Sequence, residues 1–309
     1  MYKFARVVIR KFHPERKETK MNANKHMLPI VLVVCGGLAM SAVDLFAQGN
    51  RFGYHFYKKN DPSGNFRAYM DMCLDVSGTE SIFYSESTFR RDSLMKLAIN
   101  PKNGDVMDEE AYAEVTRIPS STKDMTRVDY AKGTFIQDYQ EATVFFSGSG
   151  TLELPEWTIT DETEISCGYP SRKAEGDYMG RHWTIWFTEE IPLNAGPWLL
   201  WGAPGLIVYA IDSEELICFK LSYAEQLEDN HRADLLKSHY SSKNSRRKTF
   251  AYGIREIEKM HTRFMTDSDY LGQLTGSRLE RIVDRNGRDI TSSYQMKFIP
   301  MIPQSYWKD

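Results

Sequence analysis

The chain has 309 residues, of which 41% are hydrophobic, so it is long enough for one large or two small cores. Its 39 Lys and Arg and 42 Asp and Glu give a net charge of −3 at pH 7. This balance argues against a nucleic-acid-binding protein, because such proteins concentrate cations to neutralise phosphates.

The N-terminus predicts a secretory signal peptide over residues 1–47. Lys20 and Lys25 precede an apolar run over residues 27–40, and a small residue, Ala47, stands at the expected cleavage site. The run is shorter than the roughly 20 apolar residues that span a bilayer, so an integral membrane protein is not expected. We predict cleavage after Ala47 and export to the periplasm, with outer-membrane association or secretion as alternatives. Without this segment, which includes 8 Lys/Arg and 3 Asp/Glu, the chain carries 31 basic and 39 acidic residues, a net charge of −8.

Two details of the N-terminal segment leave alternatives open. The basic stretch before Met21 is unusual for a signal peptide, and a translation start at Met21 or Met27 removes it. Lipid attachment at Cys35 is the rival interpretation of the apolar run, although Val34 occupies a position where a small residue is needed. Because neither a low-complexity linker nor an internal repeat follows, residues 48–309 are expected to form a single domain.

Short runs of β-branched and alternating apolar residues predict strands in the middle of the chain. The expected strands cover residues 71–76, 81–85, 134–136, 143–146, 182–187, 206–211 and 217–223. Residues 148–150, which read Gly-Ser-Gly, are expected to form a turn, and residues 212–215 to join the last two strands as a hairpin.

Two stretches in the C-terminal third favour helices. One is polar and covers residues 223–238; the other covers residues 249–265, where Ile254, Ile257 and Phe264 recur near helical spacing. The combination predicts a mainly β to α+β fold, with a single curved antiparallel sheet or half-barrel and about two helices in the C-terminal third. Such a sheet, with an apolar inner face, is similar in architecture to half-barrel carriers of lipids and acyl chains.

The most distinctive part of the sequence is the stretch 180–212, which contains four tryptophans and several Gly and Pro residues. It includes the hexapeptide Gly-Ala-Pro-Gly-Leu-Ile at residues 202–207, which resembles the motif that names the GLPGLI family. Further matches to that family are Asp71, Met72, Leu74, Ser81, Phe83, Tyr84, Ser85 and Asp92. The resemblance therefore covers at least residues 65–221. GLPGLI proteins are exported proteins of Gram-negative bacteria without an established activity, so the resemblance implies a location and a fold rather than a reaction.

The chain departs from the family pattern at two positions. Ala203 stands where the family usually has Leu, which suggests that this position is only partly buried. Ser171 replaces a cysteine that many relatives carry in the motif at residues 168–174. A redox role of that cysteine is therefore absent, unless Cys167 substitutes for it.

The hexapeptide itself predicts a rigid turn. Gly202 and Gly205 allow positive φ or close backbone approach, and Pro204 fixes φ near −65°. The turn is expected to deliver Leu206 and Ile207 into the core, which is a structural role.

Three cysteines remain after the predicted cleavage: Cys73, Cys167 and Cys218. An odd number leaves at least one thiol free, and three half-buried thiols and a bridge between Cys167 and Cys218 are both compatible with the sequence. No pair of Cys or His residues has zinc-ligand spacing, and no dinucleotide or phosphate-loop motif is present, so we expect neither a metal nor a cofactor.

The search for catalytic groups yields only weak candidates, since no hydrolase or metalloprotease motif is present. His182 lies five residues after Asp177 and next to Arg181, which makes these three residues the candidates for acid/base chemistry. The alternative is that His182 is an outward strand residue bonded to a carboxylate, and that Arg181 pairs with Glu189 or Glu190.

Five of the six tryptophans, at positions 157, 183, 186, 198 and 201, fall within 45 residues. Such a cluster forms either a wide core or an apolar surface. Two functions stay open. The first is a non-enzymatic binding or assembly factor that uses Trp183, Trp186, Trp198 and Trp201 to hold an apolar ligand or an outer-membrane or other envelope protein. The second is a periplasmic hydrolase with His182 and Asp177 in acid/base roles.

Overall fold

The structure is a computed structural model that describes residues 49–59, 64, 69–100, 104–119, 121–141, 144–227, 248–276 and 298–307. The predicted signal peptide and most of the first predicted helix lie outside the described residues.

Twelve strands form one mixed sheet. They are β1 (Asn50–Lys58), β2 (Met70–Ser77), β3 (Glu80–Ser85), β4 (Met125–Asp129), β5 (Thr134–Glu141), β6 (Val144–Thr151), β7 (Thr158–Ser166), β8 (Tyr169–Tyr178), β9 (Arg181–Thr188), β10 (Leu206–Asp212), β11 (Ile217–Gln226) and β12 (Lys248–Gly253). Their order across the sheet is β12-β6-β5-β4-β3-β2-β1-β11-β10-β9-β8-β7. The sheet is open rather than closed into a barrel, with β12 and β7 at its edges.

The predicted mainly β fold is confirmed, but the prediction of a wholly antiparallel sheet is wrong. All neighbouring strands run antiparallel except β12, which pairs with β6 in parallel. A parallel pair needs a long crossover, and here the crossover contains β7 to β11. No local sequence pattern reveals a pairing between strands that are so far apart in the chain.

In the described part of the chain, four α-helices and one 3₁₀ turn accompany the sheet. They are α1 (Glu86–Ala98), α2 (Glu109–Arg117), α3 (Ile254–Thr266), α4 (Ser268–Thr275) and the 3₁₀ turn Gln304–Trp307. Two helices, α3 and α4, lie in the C-terminal third, as expected. Helix α1 begins after Ser85, whose side chain accepts a hydrogen bond from the Thr88 amide, and α2 begins after Asp108, which caps the Ala111 amide in the same way.

The boundaries of the two predicted helices need correction. Residues 249–253 belong to β12, and α3 begins only at Ile254. The helix predicted from Tyr223 is wrong for its first residues, because Tyr223 to Gln226 extend β11 and pair with β1. Backbone pairing with a long neighbouring strand outweighs the local preference of this polar stretch.

One face of the sheet carries most of the apolar core. Tyr54, Leu74 and Phe219 point to this face from three neighbouring strands and are fully buried. The connection between β9 and β10, residues 189–205, which we call the motif segment, packs against them through residues such as Leu199. The segment that contains the family-like hexapeptide is therefore part of the core.

The Gly-Ser-Gly sequence at residues 148–150 is not a turn, contrary to prediction. Both glycines lie within β6, where they leave room for neighbouring side chains. A Cβ atom on Gly148 would lie 2.7 Å from Cδ1 of Ile254, and one on Gly150 would lie 2.6 Å from Cζ of Phe135. The glycines therefore allow the start of α3 to approach the sheet closely.

The two glycines of the hexapeptide are needed for different structural reasons. Gly202 has φ of +82°, a conformation that glycine adopts at no steric cost. Gly205 is instead required by close approach, since a Cβ atom there would lie 2.0 Å from the carbonyl oxygen of Thr188 at the end of β9. The hexapeptide thus turns at Gly202 and presses its backbone against β9 at Gly205.

The residues around these glycines are buried more deeply than the sequence suggests. Leu206 and Ile207 have no exposed surface, as expected. Ala203, which was expected to be partly buried, also has none. The shorter side chain at this position is therefore not a sign of exposure.

Replacing Gly205 with Ala is expected to lower the free energy of unfolding by about 3 kcal/mol, the upper end for overpacking, because a backbone atom rather than a flexible side chain blocks the new methyl group. Urea unfolding of the purified protein measures this loss. Pro204→Ala is the local control, since Pro204 is exposed and its replacement is expected to cost less than about 1 kcal/mol. Equal losses in the two variants would contradict the close-approach explanation.

Candidate functional site

The four tryptophans proposed as a surface fall into two groups. Trp183 and Trp198 are 0% and 4% exposed, so they belong to the core and not to a ligand surface, which corrects the prediction for these two residues. Their indole N–H groups donate to the carbonyl oxygen of Tyr178, at 3.1 Å, and to Oε1 of Gln137, at 3.2 Å. Their burial therefore leaves neither N–H unpaired. Trp186 and Trp201 are only half-buried.

Trp201 lines an apolar recess of about 340 Å³ between the motif segment and two turns of the sheet. The lining residues are Val76, Gly78, Thr79, Tyr130, Leu193, Asn194, Ala195 and Trp201. Tyr130 is the one titratable residue in this lining, and burial raises the pKa of its phenol to about 12, so it is neutral at physiological pH. Its hydroxyl is paired with that of Ser81 at 2.9 Å. The recess is therefore an uncharged and mostly apolar site.

Hydrogen bonds hold Trp201 at the edge of this recess. Its indole N–H donates to the carbonyl oxygen of Glu153 at 3.0 Å, and its own carbonyl accepts from the indole of Trp157 at 2.7 Å. The Trp201 and Tyr130 rings lie 5.4 Å apart between centroids. Because both polar ends of the residue are used, the ring is held in place without a ligand.

The backbone at Trp198 explains why two tryptophans three positions apart face different ways. Trp198 has φ of +57°, which non-glycine residues rarely adopt, and it lies in a turn closed by a hydrogen bond from the Leu200 amide to the Pro197 carbonyl. The free energy gained by burying the Trp198 ring offsets the cost of this strained backbone conformation. The turn directs Trp198 into the core and leaves Trp201 at the recess.

His182 and Asp177 lie opposite each other on β9 and β8. Nδ1 of His182 is 2.7 Å from Oδ1 of Asp177, and the two side chains are 47% and 88% exposed. They border a groove of about 730 Å³ whose lining includes Glu153, Glu175 and Tyr306. Among the described residues that line this groove, Thr158 is the sole serine, threonine or cysteine, and His182 is paired with Asp177 rather than with a hydroxyl or thiol. This geometry matches the alternative of an outward histidine bonded to a carboxylate.

Arg181, by contrast, is buried and structural. Its Nη1 donates to Oδ2 of Asp212 at 2.7 Å, and its Nε and Nη2 donate to the carbonyl oxygens of Met301 and Pro300 at 2.9 and 2.7 Å. Asp212 in turn accepts hydrogen bonds from two backbone amides at the start of β11. Arg181 therefore joins β9 and β10 to the C-terminal segment, residues 298–307.

The expected partners of Arg181 were wrong. Arg181 begins β9 and lies on the same side of the strand as Trp183, facing the core. Glu189 and Glu190 follow the opposite end of the same strand. Glu189 pairs instead with Arg172, at 3.4 Å.

The three cysteines carry free thiols. Cys73 and Cys218 are buried and Cys167 is exposed. Burial and the neighbouring Glu86 carboxylate raise the pKa of the Cys73 thiol, so it is protonated and a poor nucleophile. Within the described ranges, no group of three or more His, Cys, Asp or Glu side chains is arranged to hold a metal ion. Nor does any helix in the described part of the chain have the length and apolar character needed to cross a membrane.

A second cluster of titratable side chains, which the sequence analysis missed, lies buried between α3 and β5. Glu258 and His261 of α3 are 0% and 2% exposed. The Tyr139 hydroxyl donates to Oε1 of Glu258, the Tyr139 and His261 rings stack at 3.9 Å, and Nε2 of His261 lies 3.2 Å from Glu141. A pattern signal existed: Glu258 and His261 interrupt the apolar stripe of the predicted helix.

Comparisons with known proteins add little to this geometry. No protein-family model matches the chain, and no curated protein matches it. Among solved structures it is similar to PNGF-II in two crystal forms, each with a TM-score of 0.47, at 11% and 12% sequence identity. The similarity covers 71% of this chain and 34% of the PNGF-II chain. The chain thus spans about a third of the length of PNGF-II, and any function must be argued from its own residues.

The neighbours Arg181 and His182 should respond differently to substitution. Arg181→Ala leaves Asp212 buried without its cation and should lower the free energy of unfolding by about 3–5 kcal/mol. His182→Gln removes an exposed pair and should change it by less than about 0.5 kcal/mol. Urea unfolding of both variants measures the difference. A large loss in His182→Gln would show that the exposed pair stabilises the fold, against this assignment.

Proposed function

We propose that this chain is an exported cell-envelope protein of the GLPGLI type that binds an apolar ligand in the recess beside Trp201. The observation that carries the proposal is the recess itself: it is uncharged, it has the size of a small ligand site, and its aromatic wall is held in place by hydrogen bonds. The motif segment supplies Leu193, Ala195 and Trp201 to its lining. The core of the fold and the lining of the site thus depend on the same segment.

Binding rather than catalysis is favoured by the chemistry of the lining. An apolar site without a charged group can bind by excluding water but offers no general acid or base. His182 and Asp177, the predicted candidates for acid/base chemistry, border a different groove. An apolar acyl chain or an apolar side chain of an envelope protein is the class of ligand that fits.

The proposed location rests on the sequence of residues 1–47, with cleavage after Ala47. The open sheet buries one apolar face under the motif segment. Half-barrel carriers of lipids and acyl chains also receive their ligand on the covered face of a curved sheet, and we propose the same architecture for this chain.

Native mass spectrometry of the protein purified from the cell envelope tests both parts of the proposal. The expected result is a chain that begins at Gln48 and carries a co-purifying apolar molecule. Trp201→Ala is expected to lose that molecule while remaining folded, because its ring is half-buried at the edge of the recess.

Trp186→Ala is the matched control. Trp186 is also half-buried, but it lies on the side of β9 opposite to the buried Trp183, and its replacement should leave the bound molecule in place. Retention of the molecule by folded Trp201→Ala protein would contradict the binding site. A lipid-modified Cys35 or an unprocessed N-terminus would contradict the proposed export.

The hydrolase remains the second candidate because of one observation, the 2.7 Å contact between His182 and Asp177 in a groove of sufficient size. If binding is the function, His182→Gln should leave any cellular phenotype of the protein intact. Loss of that phenotype in a normally abundant His182→Gln variant, with the bound molecule retained, would favour the hydrolase instead.

A further inference from the structure

The buried cluster between α3 and the sheet is built around the Glu258 carboxyl. Oε1 of this carboxyl accepts the Tyr139 hydroxyl, but Oε2 has no hydrogen-bond partner among the described residues. Nδ1 of the neighbouring His261 also has none in the described part of the chain. An ionised carboxylate buried with one oxygen unpaired is costly, whereas the protonated form carries no charge to desolvate.

The other charged groups around Glu258 come from every element that packs against it. His261 lies one turn further along α3, Glu141 follows Tyr139 on β5, and Asp124 and Lys58 act on the carboxyl from the residue before β4 and from β1. His261 and Lys58 favour the charged carboxyl and Asp124 opposes it, but burial disfavours the charge more strongly than these neighbours favour it.

The titration of these groups follows from burial. Burial raises the pKa of Glu258 to about 7, although the Tyr139 hydrogen bond and the charges of His261 and Lys58 act in the opposite direction. Burial also raises the pKa of Asp124 and lowers that of Lys58. The docked state thus holds a proton on Glu258 at a pH where an exposed glutamate has lost it.

The cluster also contacts the C-terminal segment, residues 298–307. The Phe298 ring lies edge-on to His261 at 5.2 Å, and the Lys58 ammonium lies 4.6 Å from the centre of the same Phe298 ring. Gln304 donates to the side chain of Thr262 at 3.2 Å. Movement of α3 away from the sheet therefore removes contacts of this segment as well.

We propose that the Glu258 carboxyl is a proton-dependent latch: α3 and the C-terminal segment stay docked on the sheet while the carboxyl is protonated, and they loosen when the proton is lost. The proposal rests on the position of this carboxyl, which is fully buried at the centre of the contact between α3 and the sheet and has one oxygen unpaired among the described residues. The latch is independent of the proposed ligand recess, since no residue of the cluster lines it.

The direction of the pH effect follows from the raised pKa. A carboxyl that binds its proton more tightly in the docked state stabilises docking fully below the pKa of an exposed glutamate, about 4.3. That stabilisation is lost as the pH rises through the docked-state value of about 7. Between pH 6 and pH 8 the opening constant of α3 should therefore rise about tenfold.

Hydrogen exchange of the α3 amides in the whole exported chain tests the latch, after correction for the intrinsic dependence of exchange on pH. Protection of α3 is expected to fall about tenfold from pH 6 to pH 8, while the amides of β10 show no such change. Glu258→Gln, which resembles the protonated carboxyl, should keep α3 protection constant over this range. Glu256→Gln, an exposed change on the same helix, should leave the tenfold fall intact.

Tyr139→Phe is a second variant in case Glu258→Gln does not fold. It removes the donor that favours the ionised carboxyl, so the midpoint of the pH dependence should move to higher pH. A loss of packing alone would not move that midpoint. The latch is ruled out if wild-type α3 protection is the same at pH 6 and pH 8, or if Glu258→Gln retains the tenfold fall.

Discussion

The backbone contact between Gly205 and the carbonyl oxygen of Thr188 fixes the path of the whole motif segment. A Cβ atom added to Gly205 would lie 2.0 Å from this oxygen, so no residue with a side chain fits there without displacing the end of β9. This contact holds the segment against the sheet just before β10 begins. Together with the turn at Trp198, this contact places the aromatic residues of the segment in the core or at the recess.

The segment can approach so closely because its polar groups are satisfied. The amides of Leu206 and Ile207 donate to the carbonyl oxygens of Ile191 and Ala195, and the Gly202 amide donates to Asn194. Buried backbone groups are thereby paired although the segment contains no helix or strand. The recess forms at its outer edge, where side chains of the segment meet the β2–β3 turn.

The sequence predicted the parts of this structure that depend on local patterns. Apolar alternation predicted the strand over residues 182–187, which lies within β9, and the hairpin predicted around residues 212–215 joins β10 to β11. Local patterns could not predict contacts between distant parts of the chain. Three contacts join residues that are more than 30 positions apart in the chain. They are the pairing of β12 with β6, the packing of Ile254 against Gly148 and the ion pair between Arg181 and Asp212. The division of the tryptophans between core and recess has a different cause, a positive φ at Trp198 that its residue type does not indicate.

The central claim is that an apolar group enters the recess and contacts Trp201. The most direct measurement is quenching of tryptophan fluorescence by a brominated fatty acid, compared between the wild-type protein and Trp201→Phe. The account predicts saturable quenching in the wild type that is clearly reduced in Trp201→Phe, because bromine quenches only at short range and Trp201 is the tryptophan in the lining of the recess. Trp157, whose indole donates to the Trp201 carbonyl, accounts for the quenching that remains. Absence of saturable quenching, or equal quenching in the two proteins, would contradict it.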